Sequence, residues 1–282
     1  MCSKLAQEKN GCLWYDTHEH AVDQYAADKA WRRWTQPLVK AVEAGYIEQA
    51  NIVSCVSDGI AQSLKKRYRL IETPLTLRNI PRYERSLERH QTTNPREVLY
   101  QGVIMRGRGL EALIEGVSAS KSNLRLIFRG PHFDAKYFAE LKMAGQKILG
   151  PDNFDIQAPI NPKTLIKAAS KSDIGVMLLG QKTEHNRLAL PNKVFEYIMA
   201  GLPLVVSNNP DMASIVKRFG AGAVVSSLKP DAIAKALDGL QGETWLKAHK
   251  ACLRASETLN WEAEKHLLLD TANSLWEDRM MS

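Results

Sequence analysis

From residue 97 onward the chain repeats one pattern, a short apolar run followed by a segment with helical periodicity. The apolar runs lie at 97–102, 124–130, 154–158, 173–178, 203–207 and 222–226, and each predicts a strand. Helical spacing fills the gaps at 109–120, 134–147, 161–170, 191–200, 210–218 and 229–239. Strands alternating with helices demand right-handed crossovers and a parallel sheet covered on both faces. Runs this apolar suit burial on both sides. The pattern predicts an α/β fold.

Before residue 90 the signal is thinner. CLWYD (12–16) and NIVSCVS (51–57) read as strands, and 22–45 and 58–68 as helices, the second with Ser57 or Asp58 as a cap. Residues 78–97, polar and with two prolines, read as an inter-domain connection. Beyond residue 240 two terminal helices are expected. The chain is long enough at 282 residues for one large or two ordinary domains. No run spans a bilayer, and the start is not a signal peptide. Cys2, Cys12, Cys55 and Cys252 are scattered, which fits a reducing cytoplasm. The net charge of +7 favours anionic partners. The cations between Lys65 and Arg96 read as a solvated linker, since no aromatic residues alternate with them as a nucleic-acid platform requires.

Residues 188–208, LALPNKVFEYIMAGLPLVVSN, are the most informative local stretch. Pro191 suits a first helical position, which leaves the amides of Asn192 and Lys193 free for an anion. Glu196 follows Asn192 by one turn on the same face. Gly201 stops the helix, and Pro203 blocks its continuation. Such punctuation is common in α/β proteins, so the neighbouring turns must decide its meaning. The turn YQGVIMRGRG brings Gly102, Gly107 and Gly109 together with Arg106 and Arg108. Its spacing is not GxGxxG, and paired arginines suit a diphosphate better than a nicotinamide dinucleotide. A further turn ends with Arg129 and Gly130. Ligands of open α/β sheets bind outside the carboxyl ends of the strands, where these turns converge.

Near the amino terminus, YDTHEH (15–20) places Asp16, His18, Glu19 and His20 just past a strand. No recognised metal-ligand spacing is present, so His18 reads as a hydrogen-bonding group rather than a metal ligand. Trp31, Trp34, Leu38 and Val42 recur at helical spacing beside Arg32, Arg33 and Lys40. That stripe reads as core-facing, with a contact to an anionic membrane as the alternative.

Together these segments resemble the GT-B glycosyltransferases, in particular the retaining, nucleotide-sugar-dependent group with many bacterial lipopolysaccharide and capsule enzymes. GVIMRGRGLEALIEG, LIFRG, LPNKVFEYIMAGLPLVVSN and PDMASIVKRFGAGAVV carry the resemblance across about 97–240; YDTHEH and ANIVSCVSDGIAQSL carry it further upstream. The resemblance implies two Rossmann-like domains, a complete doubly wound carboxy-terminal one and an incomplete amino-terminal one. The expected divisions are 1–90 (acceptor side), 91–240 (nucleotide-sugar side) and 241–282 (helices packing back across both).

By the same resemblance, Glu196 matches the second acid of a Glu-x7-Glu pattern and binds ribose hydroxyls. Asn192 and Lys193 face the diphosphate, and Arg108, with Arg106, neutralises it as it leaves. His18, Arg108 and Lys193 are the implied catalytic residues. Gly102, Arg106, Arg129, Gly130, Leu190, Pro191, Asn192 and Glu196 are the implied donor-binding set. The first acid of the pattern falls at Leu188, and Glu184, four residues earlier, is the substitute hypothesis.

The expected donor is a nucleoside diphosphate sugar, and the expected acceptor a carbohydrate or lipid-linked hydroxyl. No cofactor, obligatory metal or nucleic acid is expected. The implied activity is sugar transfer with retention in surface polysaccharide or lipopolysaccharide synthesis, in the cytoplasm at the inner face of the membrane. A nucleotide-sugar-binding remnant without transferase activity and a nucleotide-sugar epimerase are the alternatives.

Overall fold

A computed structural model of the chain describes residues 2–86, 88–89 and 96–280. In chain order the elements are α1 (Cys2–Glu8), β1 (Trp14–Thr17), a 3₁₀ turn (Ala21–Asp23), a π-helical turn (Trp31–Thr35), α2 (Gln36–Gln49), β2 (Ile52–Cys55), α3 (Asp58–Tyr68) and β3 (Leu75–Thr76). Next come β4 (Arg96–Gln101), α4 (Leu110–Ala119), β5 (Leu124–Arg129), α5 (Ala135–Leu149), β6 (Phe154–Gln157), a second 3₁₀ turn (Pro162–Thr164), α6 (Leu165–Ala169) and β7 (Ile174–Met177). The chain closes with α7 (Glu184–Leu188), α8 (Asn192–Met199), β8 (Leu204–Ser207), α9 (Pro210–Phe219), β9 (Gly222–Val225), α10 (Pro230–Gly239), α11 (Gly242–Ser256) and α12 (Trp261–Met280). Two compact units result. One comprises Met1–Asn79, Gln181–Leu190 and Trp261–Ser282; the other comprises Ile80–Gly180 and Pro191–Asn260.

The larger unit is built on a six-stranded parallel sheet in the order β6-β5-β4-β7-β8-β9. Its apolar strands are buried, β7 and β8 along their whole length. The strand order reverses direction between β4 and β7, which is where such sheets open a ligand crevice at their carboxyl ends. All six strands lie where the alternation predicts, and so do α4, α5, α8, α9 and α10, whereas α7 between β7 and β8 is a helix the alternation does not predict. The sequence expectation of one helix over 161–170 becomes a 3₁₀ turn that leads into α6.

The described part of the polar 78–97 segment does not run free as a solvated linker. Ser86 Oγ donates to the Met199 carbonyl at 2.6 Å, and Arg89 pairs with buried Asp173 and lies over the Trp245 ring. Met199 and Trp245 are themselves buried, so these polar side chains find partners on a packed surface. Residue 87 and residues 90–95 of this segment lie outside the described residues.

The smaller unit holds a three-stranded parallel sheet, β1-β2-β3. Its core gathers Ile47 of α2, Cys55 and Val56, then Ile60, Ala61 and Leu64 of α3. Ser57 caps α3 by accepting from the Ile60 amide at 3.3 Å. The 22–45 stretch is not one helix: a 3₁₀ turn and a π-helical turn precede α2. The four-residue apolar spacing survives that break, but the burial does not. Trp34, Leu38 and Val42 are exposed, contrary to the core-facing reading, while α2 buries Glu43 and Ile47 instead. Glu43 is tolerated there because the phenols of Tyr15 and Tyr68 both donate to its carboxylate.

Candidate functional site

The start of α8 is arranged much as its residues demand. Pro191 is the residue just before the helix rather than its first member, with φ −66° and ψ 139°, and no side chain caps the first amides. A helix start without a side-chain cap keeps its leading N–H groups for an external acceptor. One turn on, Lys193 Nζ lies 2.6 Å from Glu196 Oε1 and 2.8 Å from Oε2. The helix ends as expected at Gly201, whose φ of 66° is left-handed, and the Leu202 amide closes back onto the Tyr197 carbonyl at 2.8 Å.

Glu196 is joined from the sheet side by a residue the sequence reading did not single out. Gln101, the last residue of β4 and almost wholly buried, donates from Nε2 to Glu196 Oε2 at 3.2 Å. Arg129, the last residue of β5, reaches Gln101 Oε1 at 3.4 Å through Nη1 and Gln157 Oε1 at 3.0 Å through Nε. Gln157, at the end of β6, donates in turn to Asp155 at 3.1 Å. A continuous row of polar side chains thus crosses the carboxyl ends of β4, β5 and β6 and meets the acid of α8. Burial pulls the Arg129 guanidinium below the usual arginine range, and the lost hydration is partly returned by these glutamines.

The buried Tyr197 phenol fastens the helix to the sheet. It accepts from the Gln101 amide at 2.7 Å, and burial raises its pKa well above the ordinary tyrosine value. The sequence signal for Gln101 and Gln157 was a polar residue ending an apolar strand. That signal is weak by itself, because strand ends are often polar.

The glycines of the two strand-end turns make close approach possible. Gly130 has φ 152°, and a Cβ there would run into the Gly102 carbonyl. Gly109 precedes α4 in a left-handed conformation at φ 69°, where a Cβ would lie 2.9 Å from the Leu178 side chain. Between them Arg106 and Arg108 diverge. Arg106 is not held beside α8: it pairs with Glu140 of α5 at 2.6 Å and sits 4.4 Å over the Tyr137 ring. Arg108 is half-buried, has no ion-pair partner among the described residues, and acts electrostatically on the Tyr100 phenol. The structure therefore gathers Lys193, Glu196 and Arg129 through Gln101, and ties Arg106 to α5.

The remaining sequence candidates belong to the smaller unit. His18 is exposed just past β1, with Nε2 3.0 Å from Asp16. Leu190 is buried. Leu188, at the first-acid position, is 3% exposed and packs among Ile60, Ala61 and Leu64, and its carbonyl accepts from Ser57 Oγ at 3.1 Å. An acid there would be stripped of water, so a leucine suits the position. Glu184 does not present a free carboxylate as the substitute would: Arg187 holds both its oxygens, at 2.8 and 2.6 Å, and lowers its pKa. Among the described residues no group of side chains is placed to hold a metal ion, and no helix is long and apolar enough to cross a membrane.

Comparison with known proteins bears on the family and the fold. The family model described as glycosyl transferases group 1 matches residues 84–252. A putative teichuronic acid biosynthesis glycosyltransferase, TuaH of Bacillus subtilis, is 25% identical over 191 residues, 64% of this chain and 46% of that protein. The chain thus spans less than half the length of that relative. Sucrose-phosphate synthase from Thermosynechococcus elongatus superposes with a TM-score of 0.77 at 17% identity, covering 98% of this chain and 70% of that one. Anabaena HepE, solved with UDP and glucose, gives 0.77 at 12% identity over 96% of this chain and 74% of its own. At such identity the likeness speaks for the fold, which is the GT-B α/β class with Rossmann-like domains.

Proposed function

The chain belongs to the group 1 glycosyl transferases, and from that premise we propose that it moves a sugar from a nucleoside diphosphate sugar to an acceptor hydroxyl, with retention. The observation that carries this reading is the joining of Lys193 and Glu196 to Gln101 and Arg129 at the switch in strand order. An acid there suits ribose hydroxyls, and the uncapped amides of α8 suit the diphosphate. The UDP in the HepE structure supports a uridine donor. The named role of TuaH supports a surface polysaccharide as the product.

Cleavage of the donor builds negative charge on the leaving diphosphate. Arg108, Lys193 and the first amides of α8 stabilise that charge as preorganised electrostatics, with no metal required for the step. Lys193 must exchange Glu196 for the phosphate, and Gln101 then keeps Glu196 in place for the ribose. Gly102, Gly130 and Pro191 let the backbone approach the donor, with Asn192 beside them. Leu190, packed in the smaller unit, orients the lead-in to α8. His18 serves the transferred sugar as a hydrogen-bonding group. Arg106 contributes by placing α5 rather than by touching phosphate.

Titration calorimetry with UDP and UDP-sugars, paired with a donor-hydrolysis assay, tests the reading. Arg108→Ala should lower turnover by about two to three decades, as loss of one charged contact worth roughly 2–4 kcal/mol predicts. Glu196→Ala should weaken nucleotide binding by about tenfold or more. Unchanged binding and turnover in both variants would refute the assignment. A second reading, a nucleotide-sugar-binding remnant, is favoured by Leu188 where an acid is expected. Donor binding without any hydrolysis or transfer would select it, and donor conversion without an acceptor would mark an epimerase.

A further inference from the structure

The carboxy end of α8 is fastened more heavily than a helix stop requires. Gly201 ends the helix, and its carbonyl is hydrogen-bonded to Nδ1 of His249, a fully buried residue of α11. Across the same ring, Nε2 lies 3.1 Å from the Arg89 amide nitrogen. The ring stacks on Trp245, with centroids 4.9 Å apart and planes 9° from parallel. Beside it, Ser86 Oγ donates to the Met199 carbonyl, and Cys252 Sγ donates to the Leu202 carbonyl at 3.6 Å. Gly201 admits the ring as well as turning the chain, since a Cβ there would lie 3.0 Å from His249 Cε1 and 3.2 Å from Nδ1.

These partners leave the imidazole one protonation state. A carbonyl only accepts and an amide N–H only donates, so Nδ1 carries the proton and Nε2 the lone pair. A second proton, on Nε2, would point at the Arg89 N–H. Burial lowers the His249 pKa, the Gly201 bond opposes that pull, the Arg89 and Lys250 charges add to it, and Glu88 opposes it. Lys250 itself pairs with Glu88 at 2.9 Å, and Arg89 pairs with Asp173 beside β7.

The geometry matters because of what stands at the other end of the helix. With eight residues α8 is about 12 Å long, so a tilt of about 10° at its stop would move its start by roughly 2 Å. The Tyr197 phenol holds the helix against β4, and one fastening alone would let it rock. We propose that His249, as the Nδ1–H tautomer, is a positioning residue of the donor site. It ties the end of α8 to α11 and to Arg89, and so fixes the axis that presents Lys193 and Glu196. The inference rests on the nucleotide-sugar reading of that site and adds a residue outside it.

Two variants of the full chain test it. His249→Phe keeps a ring on Trp245 and loses both hydrogen bonds, whereas His249→Asn supplies an N–H in place of Nδ1. Calorimetry at pH 7.5 should show UDP binding about tenfold weaker in His249→Phe, with most of the loss restored in His249→Asn. Hydrogen exchange should be faster over 193–202 in His249→Phe, while β5 and β6 stay as in the parent. UDP-glucose, whose diphosphate keeps its charge at about pH 5, should bind the parent less well as pH falls below 6.5, because a protonated His249 cannot accept from Arg89. His249→Phe should lack that part of the decline. UDP affinity like the parent's in His249→Phe, unchanged protection over α8, or the same pH dependence in both would overturn the inference. A parent chain that binds no nucleotide would refute the nucleotide-sugar reading instead, and exchange over α8 in the variants would then decide the fastening by itself.

Discussion

The two units stabilise themselves by different means. The larger one is an apolar sheet whose central strands are buried residue after residue, with buried polar groups at both ends of the strands, Arg96 and Asp173 at the amino ends and Gln101 and Ser207 at the carboxyl ends. The smaller one has a short sheet and a small apolar cluster, and carries buried polar groups in its interior. Glu43 accepts from two tyrosines there, and His20 is 1% exposed with Nε2 2.8 Å from Ser63 Oγ. It also takes α7 from the middle of the other unit's sequence and seats Leu188 in its core. A fold rich in regular apolar strands can be read locally, whereas one closed by a distant segment and a polar network cannot.

The sharpest way to break the smaller unit is Leu188→Glu. An unpaired carboxylate among Ile60, Ala61 and Leu64 should cost about 4 kcal/mol or more. Hydrogen exchange should show lost protection over 52–64 while the strands from β4 to β9 stay protected. Uniform loss in both units, or none, would contradict the division. This substitution restores the missing acid of the family pattern, so it also shows whether that acid is compatible with this chain.

The corresponding strike on the larger unit is Gly130→Ala. The added methyl meets the Gly102 carbonyl in a backbone conformation open to glycine, at a cost of roughly 3–4 kcal/mol. The damage should appear as lost donor binding and lower stability of β4 and β5, with the smaller unit spared. Full nucleotide affinity in this variant would remove the strand-end turns from the site.

The gentlest probe is pH. Burial, with Arg67 adding a like charge, pulls His20 from 6.5 to about 4, and Asp23 opposes that pull. Its Nδ1 lies 2.9 Å from Asp23 Oδ2, off the angle of a hydrogen bond, so the carboxylate does not restore the proton. A histidine neutral in the fold takes up a proton more readily once unfolded. Its contribution is therefore complete above pH 6.5 and is lost as pH falls toward 4, by about 3 kcal/mol in all. Urea melts across that window should show the decline in the smaller unit, and His20→Asn should flatten it. A decline of equal steepness in the variant would place the titration elsewhere.

Much of the larger unit was legible because each strand and helix is specified by its own residues. Pro191, Gly201 and the apolar run after them define α8 and β8 without outside help, to within one residue at Pro191. Glu196 and Lys193 were legible for the same reason, being one turn apart on one helix. Gln101 and Gln157 were not, since their importance comes from strands that parallel pairing brings side by side. The pair of Arg106 with Glu140 was not legible either, because the two are remote in sequence. The α2 stripe was misread because periodicity shows that a face exists but not whether anything covers it.

The sequence by itself determined the α/β alternation, the parallel sheet, the start and stop of α8, and the resemblance that names its family, because these depend on local periodicity and backbone chemistry. Tertiary structure alone decided that Leu188 belongs to a core, that Arg106 pairs with Glu140, that Gln101 bridges sheet and acid, and that Trp34 faces outward. Each of these depends on which residues distant in the chain come within a few ångströms, and burial and pairing energies are set at that distance.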